Sequence, residues 1–450
     1  MIRYAALLCV LSSLAYTAGL AGQEAKSPEP RRITLDEAVQ LALKHNHVVR
    51  IAGYKVQEKE HTKEIARSAY FPVLRNDSGV AQLTDTQFIG IPAGSLGTVA
   101  GTGIPEQTTI LNQGGHTLVT SGTGLTQPLA ELWKIKSANG VAAADLSAAR
   151  SKEHQTENEV ALQVHQLYYR TLVLQAHKEA VKAKIQASED LQSERAQQVK
   201  YGSTLAEESI ESQAQSLEAK QDLLSTDLQL SDLNLELNDA IGLPLTTPLV
   251  LDAGVRQAGE TCPREECLRV ALDGHPEIAE ARAEIEKASN AVTLAKRQYL
   301  PDVEAFARYS YQDNVPFLAR NFGTFGVHFG YDLFDGGKRN AEIAEHKAQL
   351  AQAEENLARI KEEVELRVQT AYNKLERTRQ MMKVSEELVA LRTESHRVAV
   401  EQVREGEMLR SQVDTAAAHE LDARTMLLQS QLDYVQAKDE LAESMGQTPQ

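Results

Sequence analysis

The chain is written twice, and nothing else about it restricts the fold as strongly. Ala42-Leu43-Lys44-His45-Asn46-His47 is echoed by Ala271-Leu272-Asp273-Gly274-His275-Pro276, at an offset of 229 residues. At the same offset Ala66-Arg67-Ser68-Ala69-Tyr70-Phe71-Pro72 meets Ala295-Lys296-Arg297-Gln298-Tyr299-Leu300-Pro301. A second offset, 204 residues, aligns Val199-Lys200-Tyr201-Gly202 with Val403-Arg404-Glu405-Gly406 and Ile241-Gly242 with Met445-Gly446. It also aligns Leu129, Val160 and Val164 with Leu333, Val364 and Val368. A chain of 450 residues could hold two or three unrelated domains. This one reads as two copies of one unit, 23–242 and 265–446, with a linker at 243–264 and a tail at 447–450. The difference between the offsets places 25 extra residues in the first copy, between Pro72 and Gly124. That stretch is rich in Gly, Thr and Ser from Gly90 to Gly115 and reads as a long exposed loop.

Each copy has the order helix, two strands, helix, helix. Thr34-Leu35-Asp36-Glu37 fits a capping box at the start of the first helix. Pro72 and Pro301 end the leading helices. Between Pro301 and Asp335 the period changes to two. Phe325, Val327, Phe329, Tyr331 and Leu333 alternate with Thr324, Gly326, His328, Gly330 and Asp332. Val303, Ala305, Ala307, Tyr309 and Tyr311 alternate less cleanly. The strands lie within 302–335 in the second copy. In the first copy they lie within 74–129, as weaker segments at 74–88 and 116–129. A heptad ladder of Ile343, Leu350, Leu357, Val364 and Ala371 then jumps four to Leu375 and continues through Met382 and Val389. This is coiled-coil spacing with one stutter. Gly202 and Gly406 interrupt the helical pattern and mark two hairpin tips.

Lengths suggest the assembly. Residues 335–405 as helix span ~106 Å, while 265–300 and 409–445 span ~54 and ~55 Å. Two short helices stacked end to end match one long one, and 34–70, 131–201 and 205–241 repeat the pattern. The expectation is a mainly α chain: a long helical cylinder with a small β part at one end. Four strands cannot close a barrel, and open sheet edges are not tolerated in lipid. Either the strands pair across subunits or they form a small soluble sheet. The apolar band favours the first, and three chains would supply twelve strands, with other symmetric numbers left open.

The N-terminus sets the compartment. Arg3 precedes an apolar run from Ala5 to Ala15, and Ala18, Gly19 and Ala21 follow. Residues 1–22 read as a secretory signal peptide, too short for an anchor. Cys9 lies inside the run rather than after it, which argues against lipid attachment. The net charge of −16 argues against nucleic acid as a partner.

In this order and duplication, the motifs resemble the outer-membrane efflux family of TolC-like and OprM-like proteins. The carriers are the turns at 42–47 and 271–276, the Tyr-x-Pro pairs at 70–72 and 299–301, Leu333-Phe334-Asp335-Gly336-Gly337, and the Gly202 and Gly406 tips. The resemblance spans about residues 32–446. It implies a homotrimer with one shared twelve-stranded barrel and a periplasmic helical tunnel. It also implies an exit duct in the outer membrane for a tripartite pump or type I secretion system. Partners would be a periplasmic adaptor and an inner-membrane transporter of RND, ABC or MFS type. No cofactor is implied. TolC-like members carry two aspartates six and nine residues after the second tip glycine. Here those places hold Gln412 and Thr415, with Asp414 the nearest carboxylate. The first copy has Glu208 and Glu211 at the matching places, beside Glu207. In a trimer each forms a ring of three that would attract cations; a solvated helix face is the alternative.

Other residues have plainer readings. His45 and His47 face Gly274 and Pro276 in the second copy, which favours a kink over a metal pair. Cys262 and Cys267 could pair in an oxidising periplasm. Trp133, the only Trp, is either an interfacial anchor or helix packing. Asp335, Gly336 and Gly337 permit a sharp strand-to-helix turn. Tyr201, Gly202, Ser203, Leu205, Glu405, Gly406 and Leu409 form candidate adaptor-contact tips. No catalytic constellation is present: no Gly-Lys-Ser/Thr loop, His-Glu-x-x-His or Gly-x-Ser-x-Gly. A soluble periplasmic coiled-coil scaffold is the competing reading.

Overall fold

Helix-forming runs and alternating runs separate along the chain into long helices and one sheet. A computed structural model describes residues 30–86, 88–112, 115–202, 206–252, 262–315 and 319–449. The signal-peptide expectation and Cys9 lie outside them. The first copy runs β1 (Arg31–Ile33), α1 (Leu35–His45), α2 (His47–Ser68), β2 (Val73–Gln82), β3 (Phe88–Ile91), β4 (Thr98–Val99), β5 (Thr102–Gly103), β6 (Thr109–Asn112), β7 (Thr117–Pro128), α3 (Leu132–Lys200) and α4 (Ala206–Ile241). Then come β8 (Leu249–Leu251), α5 (Arg264–Gly274), α6 (Pro276–Arg297), β9 (Asp302–Asp313), β10 (Asn321–Gly330), α7 (Lys338–Glu405) and α8 (Arg410–Ser444). At 69 residues α3 spans ~104 Å, and α7 at 68 residues spans ~102 Å.

The leading helix of each copy is broken once, at the duplicated turn. Asn46 leaves the helical region (φ −60°, ψ 131°), and its side-chain oxygen accepts the Val48 N–H at 2.8 Å. His275 does the same (φ −63°, ψ 131°), and its Nδ1 accepts the Glu277 N–H at 3.2 Å. A cap that starts a new helix explains the break. The end of each copy packs on its break. A Cβ at Gly242 would stand 2.6 Å from the His45 Cβ, and one at Gly446 would stand 2.5 Å from the Pro276 Cδ. Both glycines have left-handed φ, +72° and +77°.

Two cores result, one per copy. Ile33, Ala38, Ala42, Val164, Tyr168, Leu237 and Ile241 fill the first. Cys267, Ala271, Ile278, Val364, Val368 and Leu441 fill the second. Val364, Ala371 and Leu375 of the heptad ladder are buried, whereas Ile343, Leu350, Met382 and Val389 are only half-buried in the single chain. The copies are tied across α3 and α8 by a buried pair, His165 Nδ1 to Asp439 Oδ2 at 2.6 Å.

Three sequence readings change. The linker at 243–264 contains β8, which pairs in parallel with β1. Tyr168 secures the join: its hydroxyl donates to the Ile33 carbonyl at 3.1 Å and accepts the Asp252 N–H at 2.9 Å. Three-residue strands so far apart carry no alternation to read. The Gly90–Gly115 stretch is not one long loop, because β3 pairs with β6 and β4 with β5. Its glycines serve the turns, with Gly94, Gly97 and Gly101 at positive φ. Finally, β10 ends at Gly330, so the alternation through Leu333 outruns the strand.

Candidate channel-forming sheet and hairpin tips

The four long strands form one antiparallel sheet in the order β10-β9-β7-β2. Its outer strands, β10 and β2, have no partner on their free sides among the described residues. Strands of 10 and 12 residues are long enough to cross a membrane at a tilt, which takes about 9–11. Register assigns the faces. Phe325 is level with Ala307, Leu125 and Leu74, and Val327 with Ala305 and Gln127. On this face Phe325 is 88% exposed, Val327 64% and Phe329 65%. Further along it stand Tyr309 and Tyr311. On the other face Arg308 is level with Thr324, Gly124 and Arg75, and Ser310 with Phe322, Gly122 and Asp77. One face is aromatic and the other charged, which is the distribution of a barrel strand between lipid and water. The first copy's share of the outer face is more polar. Asn76 Nδ2 donates to Thr123 Oγ1 at 2.8 Å, and the Ser78 and Ser121 hydroxyls are 2.8 Å apart. Among the described residues no helix is long and apolar enough to cross a membrane.

The chain leaves the sheet through a turn built on one carboxylate. Asp335 accepts the Gly337 N–H at 3.0 Å, the Arg339 N–H at 3.1 Å and Arg339 Nε at 2.5 Å. The Arg339 side chain and these backbone donors hold the Asp335 carboxyl down at about 2. Gly336 (φ +66°) and Gly337 (φ +88°) take left-handed conformations that a β-carbon would disfavour. Arg339 also lies over the Tyr299 and Tyr331 rings, at 4.9 and 5.5 Å. Exposed Leu333 and Phe334 flank the turn, and Trp133, also exposed, opens α3. The Trp133 carbonyl accepts a hydrogen bond from Arg297.

At the opposite end the helical hairpins turn at Gly202 (φ +69°) and Gly406 (φ +81°). Tyr201 is 81% exposed, Leu409 is exposed at 47%, and Glu405 is exposed. Ser203 and Leu205 lie outside the described residues. The sequence-selected carboxylates have separate partners within the chain. Glu208, on α4, accepts from Arg195 of α3 at 2.7 Å, and Glu211 accepts from Gln215 at 3.3 Å; both are exposed. Asp414, on α8, instead faces α3. Burial pushes its carboxyl up, and Asp190 and Glu194 reinforce the shift while Arg410 opposes it. Glu194 also accepts the Ser411 N–H at 3.2 Å. Sequence reading missed Asp190 and Glu194. Their i, i+4 spacing marks one face of α3, but nothing local says that α8 covers it.

Cys262 and Cys267 are disulfide-bonded, with Cα atoms 5.7 Å apart. The bridge encloses the first turn of α5, and Cys267 is fully buried in the second core.

Comparison with known proteins agrees with this geometry. A sequence profile described as "Outer membrane efflux protein" matches residues 267–447. No curated protein sequence matches the chain. Among solved structures, the Campylobacter jejuni CmeC outer membrane channel superposes with a TM-score of 0.75 at 14% identity, covering 92% of this chain and 85% of that one. The Vibrio cholerae outer membrane protein VceC gives 0.71 at 15% identity, covering 92% and 97%. The Neisseria gonorrhoeae MtrE outer membrane channel, in its open state, gives 0.70 at 14%, covering 92% and 89%. The second repeat thus matches the outer membrane efflux protein profile, and over 92% of its length the chain shares one fold with these channels.

Proposed function

We propose that this chain is one third of a passive exit duct through the outer membrane. Three protomers pair β10 of one with β2 of the next and close a twelve-stranded barrel. The observation that carries the reading is a four-stranded sheet whose two edges are unpaired among the described residues, aromatic on one face and charged on the other. In hydrocarbon each unpaired backbone group costs several kcal/mol, so the edges must be satisfied by other copies. The half-buried parts of the α7 ladder would be covered by the same neighbours. The long helices then form a periplasmic tunnel. A periplasmic adaptor meets the tips around Tyr201, Gly202, Glu405, Gly406 and Leu409. An inner-membrane transporter of RND, ABC or MFS type, in a tripartite pump or type I secretion system, supplies the energy.

At the tunnel's narrow end the same reading places Glu208, Glu211 and Asp414 as gate carboxylates. Purified protein should be trimeric in detergent and conduct ions across planar bilayers. A monomer in detergent that does not conduct would refute the duct. Replacing both Glu208 and Glu211 by Gln should reduce cation preference; unchanged ion preference would remove them from the gate.

A further inference from the structure

The inner face of the sheet carries a charge that the duct reading does not explain. Three arginines lie on this face or at its rim, and two are neutralised in place. Arg75 Nε donates to Asp77 Oδ1 at 2.8 Å. Arg320, just before β10, holds Asp313 with Nε at 3.0 Å and Nη2 at 2.6 Å. Arg308, in the middle of β9, has no ion pair among the described residues. Its row across the sheet is Thr324, Arg308, Gly124, Arg75, and contains no carboxylate. Asp77, one row toward the loops, is engaged by Arg75. Glu304 is four residues back along β9, ~13 Å away.

The neighbouring strand is shaped around this side chain. Two glycines of β7 face it. A Cβ at Gly122 would stand 2.4 Å from Arg308 Nη2, and one at Gly124 would be 3.8 Å from its Cγ. The guanidinium therefore lies across a strip of bare backbone. A hollow of about 380 Å³ opens over the same place, lined by Asp77, Gly122, Arg308, Ser310, Gln312 and Phe322. It offers a planar fork of N–H donors, without an ion pair among the described residues, beside the Ser310 hydroxyl and the Gln312 amide, whose Nε2 also donates to the Ala319 carbonyl at 3.2 Å. That set suits a carboxylate or phosphate oxygen pair.

We propose that Arg308, repeated three times around the barrel, forms a cationic belt that binds anionic groups of solutes leaving the duct. This rests on the trimeric reading above. It adds an anion-favouring station at the outer end, opposite in sign to the carboxylates of the tips. Solutes bearing a carboxylate or phosphate would be drawn from the tunnel into the barrel.

The test uses the full-length protein, first shown to be trimeric and conducting; failure at that point refutes the duct itself. Reversal potentials in a potassium chloride gradient report ion preference, and inorganic phosphate added on the hairpin-loop side reports anion binding. Arg308→Gln should raise the potassium-to-chloride permeability ratio roughly threefold and abolish phosphate block of the current. Thr324→Glu sets a carboxylate in the same row with Arg308 intact, and should act in the same direction. The belt is overturned if conducting trimers of either variant keep the wild-type permeability ratio and phosphate block.

Discussion

In the first copy of the repeat the helix break is capped by the Asn46 amide; in the second it is capped by the His275 imidazole. The first copy anchors the start of its leading helix with the β1–β8 ladder. At the 229-residue offset, Ile33 and Ala38 correspond to Cys262 and Cys267, and there the second copy uses a disulfide. On the sheet's outer face the first copy supplies Asn76, Ser78, Ser121 and Thr123, and the second Tyr309, Tyr311, Phe325, Val327 and Phe329. Geometry has been kept through the duplication while its chemical means diverged. What a position must do mechanically is shared by both copies; how it responds to pH, reductant or lipid belongs to one.

The outer face offers the most severe test of that asymmetry. Phe325→Arg in the middle of β10 should cost about 2–4 kcal/mol in a lipid-facing position and prevent membrane assembly. The measurement is the fraction of protein recovered as trimer in salt-washed outer membranes. Ser121→Arg, mid-strand on the same face, should fail equally. If Ser121→Arg assembles normally, the two copies do not share one lipid-facing surface. Next in size are Gly242→Ala and Gly446→Ala, each about 2–4 kcal/mol from a left-handed φ combined with a steric clash. Denaturant melts should give similar losses for both, since this part of the design is common to the copies.

The disulfide separates them again. Cys262→Ser with Cys267→Ser should cost about 2 kcal/mol through loss of a short closed loop. Hydrogen exchange should locate the loosening in α5 and leave α1 protected. The smallest effect is titration of the caps. Burial holds His275 down at about 4, against 6.5 in the unfolded chain; Glu277 opposes this and Arg367 reinforces it. As pH falls the unfolded chain takes up the proton first, so stability declines from about pH 6.5 and levels off near 4. At pH 5.5 the cost is about 1 kcal/mol. His275→Asn, which imports the first copy's cap, should abolish that acid-dependent part of the melting temperature while preserving it at pH 7.5. Equal acid sensitivity in the variant would show that the imidazole is not its source.

Much of the molecule was legible because it rests on local signals. The helix breaks at Asn46 and His275, the tips at Gly202 and Gly406, and the turn at Asp335 to Gly337 are each set by residues adjacent in sequence. The alternation from Phe325 to Phe329 showed β10 directly. What escaped depends on partners far away. β1 and β8 are each three residues long and are defined by one another, with Tyr168 bonded to Ile33 of β1 and to Asp252 just after β8. Asp190 and Glu194 became interesting only once α8 laid Asp414 against them. The Gly90–Gly115 stretch misled because glycines that serve tight hairpin turns have the same composition as a loop.

The unpaired rims of β10 and β2 have a genetic consequence under the trimeric reading. A subunit that folds its helices but spoils one rim still occupies a place in the ring and breaks the closure for its two companions. Expressed in equal amounts with the normal subunit and mixing at random, it would leave only about one ring in eight intact. Lesions in these strands should therefore behave as dominant, and lesions that prevent the helical body from folding as recessive.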